Sequence, residues 1–258
     1  MDFQPSTLSL KRSLLEAVCD VYEEVCSRFP HVCARECSAC CTCNVVATTL
    51  EVLSVIEEME RINKSQILTG FVHESAGNRL RPRLTINELA QYCLEGKEPP
   101  EGDSEYGSLP CPLREHDGCP VYHVRPFSCR SMWSSELCSH GGHAVMNPVL
   151  ISMNGVFEQI IEHLDHGGLV GNMLDLLTEL SDPGFRSSYR NSAALEPSLS
   201  LRQAQRNPGF VVMREHRKDI SAALSLLWQR EVDGIPFREA LAALQGDPGK
   251  PGASPEAE

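Results

Sequence analysis

Residues 33–43 read CARECSACCTC, five cysteines in eleven positions: Cys33, Cys37, Cys40, Cys41 and Cys43. Taken from Cys33, the first three have C-x3-C-x2-C spacing, which suits three thiolates sharing one iron–sulfur cluster. Taken whole, the stretch pairs Cys40 with an adjacent Cys41, and such a cluster does not need an adjacent pair. The first reading calls for a fold that holds one cluster on three ligands. The second demands only an irregular loop organised by a metal, so the rest of the chain decides between two different folds.

A chain of 258 residues, 41% of them hydrophobic, buries an ordinary core without help from disulfides. Twelve cysteines exceed ordinary usage, and eight of them fall in two groups, 33–41 and 111–138, which points to chemistry rather than packing. The opening segment carries charges through its apolar positions, and no apolar run approaches the roughly 20 residues of a membrane span, so neither a signal peptide nor a membrane partner is expected. The expected compartment is then the reducing cytoplasm, where clustered cysteines serve as metal ligands or redox thiols; an extracellular disulfide framework is the alternative. A formal charge of -12, from 23 basic and 35 acidic residues, argues against a nucleic-acid surface. The short basic runs KRSLL and REHRK read as solvated helix faces.

Apolar residues recur every three or four positions from about Leu10 to Phe29, which predicts an amphipathic helix ended by Pro30. Cys19 and Cys26 on it read as small buried hydrophobes. Thr48 and Glu51 form a capping-box signature for a second helix, and Thr85 and Glu88 repeat it before a shorter one, whose Cys93 is assigned to the core. Residues 96–118 read as a loop, and Pro112, Pro120 and Pro126 forbid a long helix between Cys111 and Cys138. Periodicity returns from about Asn147 to Leu180, broken at HGGLVG, which reads as two helices or a kink. Residues 181–210 resemble a linker or strap, 211–245 C-terminal helices, and 246–258 a disordered tail. With no period-two runs and no internal repeat, the expected fold is mainly α: helices around irregular cysteine-rich metal-binding loops, without an extended sheet. Residues 1–180 would form the metal-binding domain.

Thiolates are soft ligands, and Cys37 and Cys40, flanked by Cys33 and Cys41, have a spacing that lets one turn of backbone face one ion. Cys111, Cys119, Cys129 and Cys138 are separated by seven, nine and eight residues, wider than in an isolated zinc finger. That spacing makes sense if both loops fold around a shared centre. The pair in CSACC, followed by CPLREHDGCPVYHVRPFSCR, resembles the YkgJ-type cysteine-cluster family, a zinc- or iron-chelating CxxCxxCC domain related to flagellin lysine N-methylase. The family's second block opens on Cys-Pro and continues C-x-[IV]-Y-x-x-R-P-x-x-C-R. It is matched at Cys111, Pro112, Leu113, Cys119, Val121, Tyr122, Arg125, Pro126, Cys129 and Arg130. Trp133, Ser135 and Cys138 are similar to a further W-x-S…C continuation, so the resemblance covers roughly residues 33–180. The first block departs from the pattern: three residues separate Cys33 from Cys37 where the family has two, and Ser38 stands where it usually has glycine. The resemblance implies chelation of iron, as an iron–sulfur cluster or Fe, or of Zn, by Cys33, Cys37, Cys40, Cys41, Cys111, Cys119, Cys129 and Cys138. Through its methylase relatives it implies group transfer to a protein side chain.

Four thiolates around a divalent ion leave a charge of about -2, which Arg125 or Arg130 could offset, and Pro126 holds Arg125 extended. A structural salt bridge is the plainer role for Arg125, and plain core for Tyr122. His31, His116, His123, His140 and His143 crowd the region as further candidate ligands or exposed loop histidines. Cys43 is an exchangeable ligand, a redox thiol or a bystander. A radical S-adenosylmethionine enzyme fits the Cys33, Cys37, Cys40 spacing, but successive βα units are missing and Ala39 stands where that superfamily has an aromatic residue. GGLVG at 167–171 also lacks the first glycine of a cofactor loop. The expected function is that of a metal-binding cysteine-cluster protein. As a modifying or redox enzyme it would act on a protein side chain or small molecule at an open coordination position; as an accessory module it would hold structural zinc with every position filled by protein.

Overall fold

The computed structural model describes residues 7–35, 37–65, 79–100, 107, 109–116, 118–138 and 144–244. The N-terminal segment forms α1 (Thr7–Cys26), burying Leu14, Val18, Val21, Tyr22 and Val25 along one helical stripe. After the first cysteine stretch come β1 (Val46–Thr48) and α2 (Thr49–Arg61). The capping box forms as expected: the Glu51 N–H donates to the Thr48 hydroxyl, and the Thr48 N–H donates back to the Glu51 carboxylate. α3 (Ile86–Leu94) opens with the same device at Thr85 and Glu88. The second cysteine segment contains a short helix, α4 (Phe127–Arg130), and is followed by α5 (Pro148–Leu164), capped by Asn147 with proline at its first turn. Then come β2 (Leu169–Asn172), α6 (Met173–Ser181), α7 (Pro183–Arg190) and β3 (Leu201–Gln203). α8 (Arg217–Gln229), the paired strands β4 (Glu231–Val232) and β5 (Ile235–Pro236), and α9 (Phe237–Leu244) complete the described chain. The protein is mainly α with small antiparallel sheets. No described helix is long and apolar enough to cross a membrane.

Three features differ from the sequence-based expectation. The HGGLVG step does separate two helices, α5 and α6, but it does so through the unexpected central strand β2, pairing Val46 with Asn172 on one side and Gly171 with Leu201 on the other. Four residues are too few to display a period, and their partners lie far away in the chain. Residues 181–210 carry α7 and β3, and α8 and α9 share a hydrophobic cluster with α1 and α5. Cys93, assigned to the core from the sequence, is exposed, because α3 buries only Asn87 and Ala90 and turns into solvent after them. The expected tail, residues 246–258, lies outside the described residues.

Two hydrophobic clusters divide the interior. The first joins α1, α5, α8 and α9 and includes Phe127, whose ring meets Tyr22 edge-on at 4.6 Å between centroids. The second joins β1, α2, β2 and α6, with Leu113 and Val121 from the second cysteine segment; Cys111, Cys119 and Cys129 pack against it. Burying each such apolar side chain contributes about 1.5–3 kcal/mol. The second cysteine segment thus has Phe127 anchored in one cluster and its thiols at the edge of the other.

Candidate metal centre

The first cysteine stretch has no helix and is shaped by tight turns. The Cys37 N–H donates to the Ala34 carbonyl at 3.0 Å and the Cys41 N–H to the Ser38 carbonyl at 3.1 Å, so each turn swings one cysteine round the loop. Beyond Cys41 the strand-like segment at Thr42 pairs antiparallel with Pro110. Two hydrogen bonds flank that bridge, from the Cys111 N–H to the Cys41 carbonyl at 3.0 Å and from the Cys43 N–H to the Leu109 carbonyl at 2.8 Å. Backbone pairing therefore sets Cys41 of the first segment beside Cys111 of the second.

The second segment is a chain of turns. Glu115 and Gly118 exchange backbone hydrogen bonds, at 2.9 and 3.2 Å, and Gly118 takes φ +117°, a backbone conformation that favours glycine. Backbone N–H groups of Leu113 and Arg114 near Cys111, and of Val121 near Cys119, work against the rise in pKa that burial causes at these thiols, while the Arg114 N–H donates to the Cys111 carbonyl at 3.1 Å. Such donors favour thiolate over thiol. Arg125 is extended before Pro126, at φ -59° and ψ 142°, as the X-Pro rule requires. Two hydrogen bonds then clamp α4 to the β1–α2 corner: the Phe127 N–H donates to buried Glu51 at 2.7 Å, and the Ser128 hydroxyl donates to the Val46 carbonyl at 2.6 Å.

Electrostatic contacts sort the eight candidate thiols into two neighbourhoods. Cys41 is influenced by Cys111, Cys129 and Cys119, and Cys129 by Cys111, Cys119 and, across the divide, Cys40. Cys33 is influenced by Cys37, Cys40 and Cys138. The adjacent pair joins the two: the Cys40 thiol donates to the Cys41 sulfur, which holds Cys40 protonated and pulls the Cys41 pKa down. Burial raises Cys129 and takes Cys111 up to about 11. The Cys119 thiol is raised by burial as well, against the opposing pull of Arg125. The Cys33 sulfur accepts the Ser134 N–H at 3.2 Å, its link to the second segment.

In this conformation no three Cys, His, Asp or Glu side chains among the described residues gather closely enough to hold a metal ion. The chemistry of the inner donor set nevertheless suits a soft metal: four thiols with backbone N–H donors and a guanidinium beside them. Of the other candidates, Cys43 neighbours the inner set, through Cys111. Cys43 is 1% exposed and directs its thiol to the Asn44 side chain at 3.6 Å. Cys19 and Cys26 are buried on α1. The His31 ring packs edge-on against Trp133, and His123 lies 3.4 Å from the Glu58 carboxylate. His140 and His143 lie outside the described residues.

Arg125 and Arg130 share an acid the sequence did not advertise: both reach Glu23 on α1, at 3.2 and 2.6 Å. Arg125 also lies over the Tyr122 ring, 3.9 Å from its centroid. Arg130 donates to the carbonyls of Arg125 and His123, at 3.0 and 2.6 Å, and so staples the loop. Arg125 serves as both structural ion pair and charge neighbour of Cys119, whereas Arg130 is a loop clamp. The second role of Glu51, as the acceptor for Phe127, had no local signal beyond its capping position. No family model, curated protein or solved structure matches this chain.

Proposed function

We propose that this chain is a metal-binding cysteine-cluster protein whose two cysteine segments together enclose iron, as an iron–sulfur centre, or zinc. The observation that carries the reading is the bridge between Thr42 and Pro110, which sets Cys41 against Cys111 with Cys119 and Cys129 as electrostatic neighbours. Four thiols from two distant segments, three of them in a motif resembling the YkgJ-type family, are more than catalysis by a lone cysteine needs. Cys41, Cys111, Cys119 and Cys129 would hold the inner site, drawing in to about 2.3 Å from a zinc ion. Cys33, Cys37, Cys40 and Cys138 would form a second, more exposed site. The backbone N–H groups of Leu113 and Val121 would face the ligand sulfurs, and Arg125 would offset negative charge.

Bound there, zinc supplies structural cross-linking and an iron–sulfur cluster supplies electron transfer. Four protein thiols leave no open position at the inner site, which favours a structural or electron-carrying role over direct attack on a substrate. Anaerobic purification followed by metal analysis and absorption spectroscopy tests the reading. Brown protein with broad absorption near about 400 nm assigns iron–sulfur; colourless protein with zinc assigns the structural module. If neither Cys40→Ser nor Cys119→Ser changes the metal content, the two-segment centre is wrong.

A further inference from the structure

A second site lies outside the cysteine segments. The start of α1, the ends of α5, α7 and α9, and the residues after β3 converge on a cleft of about 210 Å³. Its ionisable walls are Lys11, His163, His166, Tyr189 and Arg206, with no aspartate or glutamate lining it among the described residues. In a chain of net charge -12 that is a local reversal of sign. The hydroxyls of Thr7 and Ser192 also line it. The first turn of α1 carries no acidic side chain, so the positive end of the helix dipole adds to the potential.

Of the two cations, Arg206 is left over by the fold, whereas Lys11 is shared with the buried Asp165 carboxylate. Arg206 is exposed and makes no ion pair or hydrogen bond among the described residues. Lys11 lies 3.4 Å from Asp165 and 3.5 Å from the His166 carbonyl, both long for an ammonium donor. Asp165 is fully buried and already satisfied by the Tyr189 hydroxyl at 2.5 Å and the Leu50 N–H at 3.0 Å. The His163 ring accepts the Asn207 N–H at its Nδ1, so it stands in the cleft as a neutral imidazole and the charge there comes from Lys11 and Arg206.

We propose that this cleft binds the phosphate group of a phosphate monoester, with Arg206 and Lys11 as the charged contacts and the Thr7 and Ser192 hydroxyls as neutral donors. A monoester carries nearly two negative charges at neutral pH, which suits two cations from separate walls better than a carboxylate does. The site is independent of the metal reading. Its link to the rest of the fold is Asp165, which joins Lys11 to the N-terminus of α2.

Titration of the full-length protein with inorganic phosphate, by calorimetry and by thermal unfolding, tests it against potassium chloride of equal ionic strength and against acetate. Saturable binding of phosphate is expected, with acetate markedly weaker. Arg206→Ala should weaken binding about tenfold or more without changing the Tm in chloride, because it removes a charged contact and no structural one. Arg206→Lys should recover part of it. Displacement by glycerol phosphate assigns a soluble ligand; retention on phosphatidic acid vesicles, lost in Arg206→Ala, assigns the same chemistry to a lipid headgroup. Wild-type affinity in Arg206→Ala, equal binding of acetate, or no effect beyond chloride overturns the proposal.

Discussion

The two cysteine neighbourhoods are built from adjacent residues yet held in different ways. Around Cys41, the backbone bridge at Thr42, the Glu51 acceptor and the Ser128 hydroxyl tie the second segment to β1 and α2, and its thiols rest on a hydrophobic cluster. Around Cys33, the hold on the second segment is lighter. The Ser134 N–H reaches the sulfur, the Val32 N–H reaches the Ser134 carbonyl at 2.9 Å, and Cys37 and Cys40 are exposed. Residues next to each other in sequence therefore start from unequal degrees of preorganisation. A site whose ligands are already positioned loses less conformational freedom on binding, so the inner set should bind more tightly than the outer.

The sharpest way to break that contrast is a pair of serine substitutions. Cys119→Ser should remove the inner site's whole share of metal and lower the urea midpoint, whereas Cys37→Ser should lose only the outer share and leave the midpoint nearly unchanged. Equal metal loss and equal destabilisation in the two variants, by metal analysis and urea unfolding, would show that the neighbourhoods are not distinct. Next in size is Glu51→Ala. It strips the acceptor from the Thr48 N–H at 2.8 Å, the Thr48 hydroxyl at 2.9 Å and the Phe127 N–H at 2.7 Å. A loss of about 3 kcal/mol is expected, together with looser metal binding at the inner set, because buried donors are left unpaired. Unchanged stability would mean that α2 does not anchor the second segment.

Gly168→Ala should cost about 1–3 kcal/mol in denaturant unfolding, since overpacking forces neighbours to move. A Cβ there would stand 2.4 Å from the Asp165 carboxylate, which Tyr189, Leu50 and Lys11 hold in place. The metal content should not change. A smaller effect is expected from pH. Burial, with Arg206 and His166 nearby, depresses His163 to about 4. The folded chain then binds fewer protons than the unfolded chain between about pH 6.5 and 4, and this contribution to stability is lost as pH falls through that window. Replacing His163 with Gln should flatten this part of the stability profile measured by urea unfolding. Smallest in its effect on metal is Cys43→Ser, which should leave metal content at the wild-type value because that thiol points to Asn44.

Local signals were readable wherever the stabilising partner lies within a few residues. Thr48 with Glu51 and Thr85 with Glu88 formed their capping boxes, and the α1 stripe from Leu14 to Val25 is buried as its spacing required. Long-range partners left no such mark. β2 becomes a strand through Val46 and Leu201, and Arg125 and Arg130 find Glu23 about a hundred positions away. Cys93 had the residue type of a core position but sits in the last turn of a helix with little to cover it.

By itself the sequence determined a mainly helical chain, two segments unusually rich in thiols, and the prolines that keep the second of them from becoming a helix. Those are properties of spacing and of local backbone chemistry. Only the tertiary structure decided that Cys41 has Cys111, Cys119 and Cys129 as electrostatic neighbours while Cys33 has Cys37, Cys40 and Cys138. It also assembled the basic cleft from the start of α1 and four later segments. Both arrangements depend on pairing and packing across long stretches of chain, where the free energy is gained only after distant segments meet.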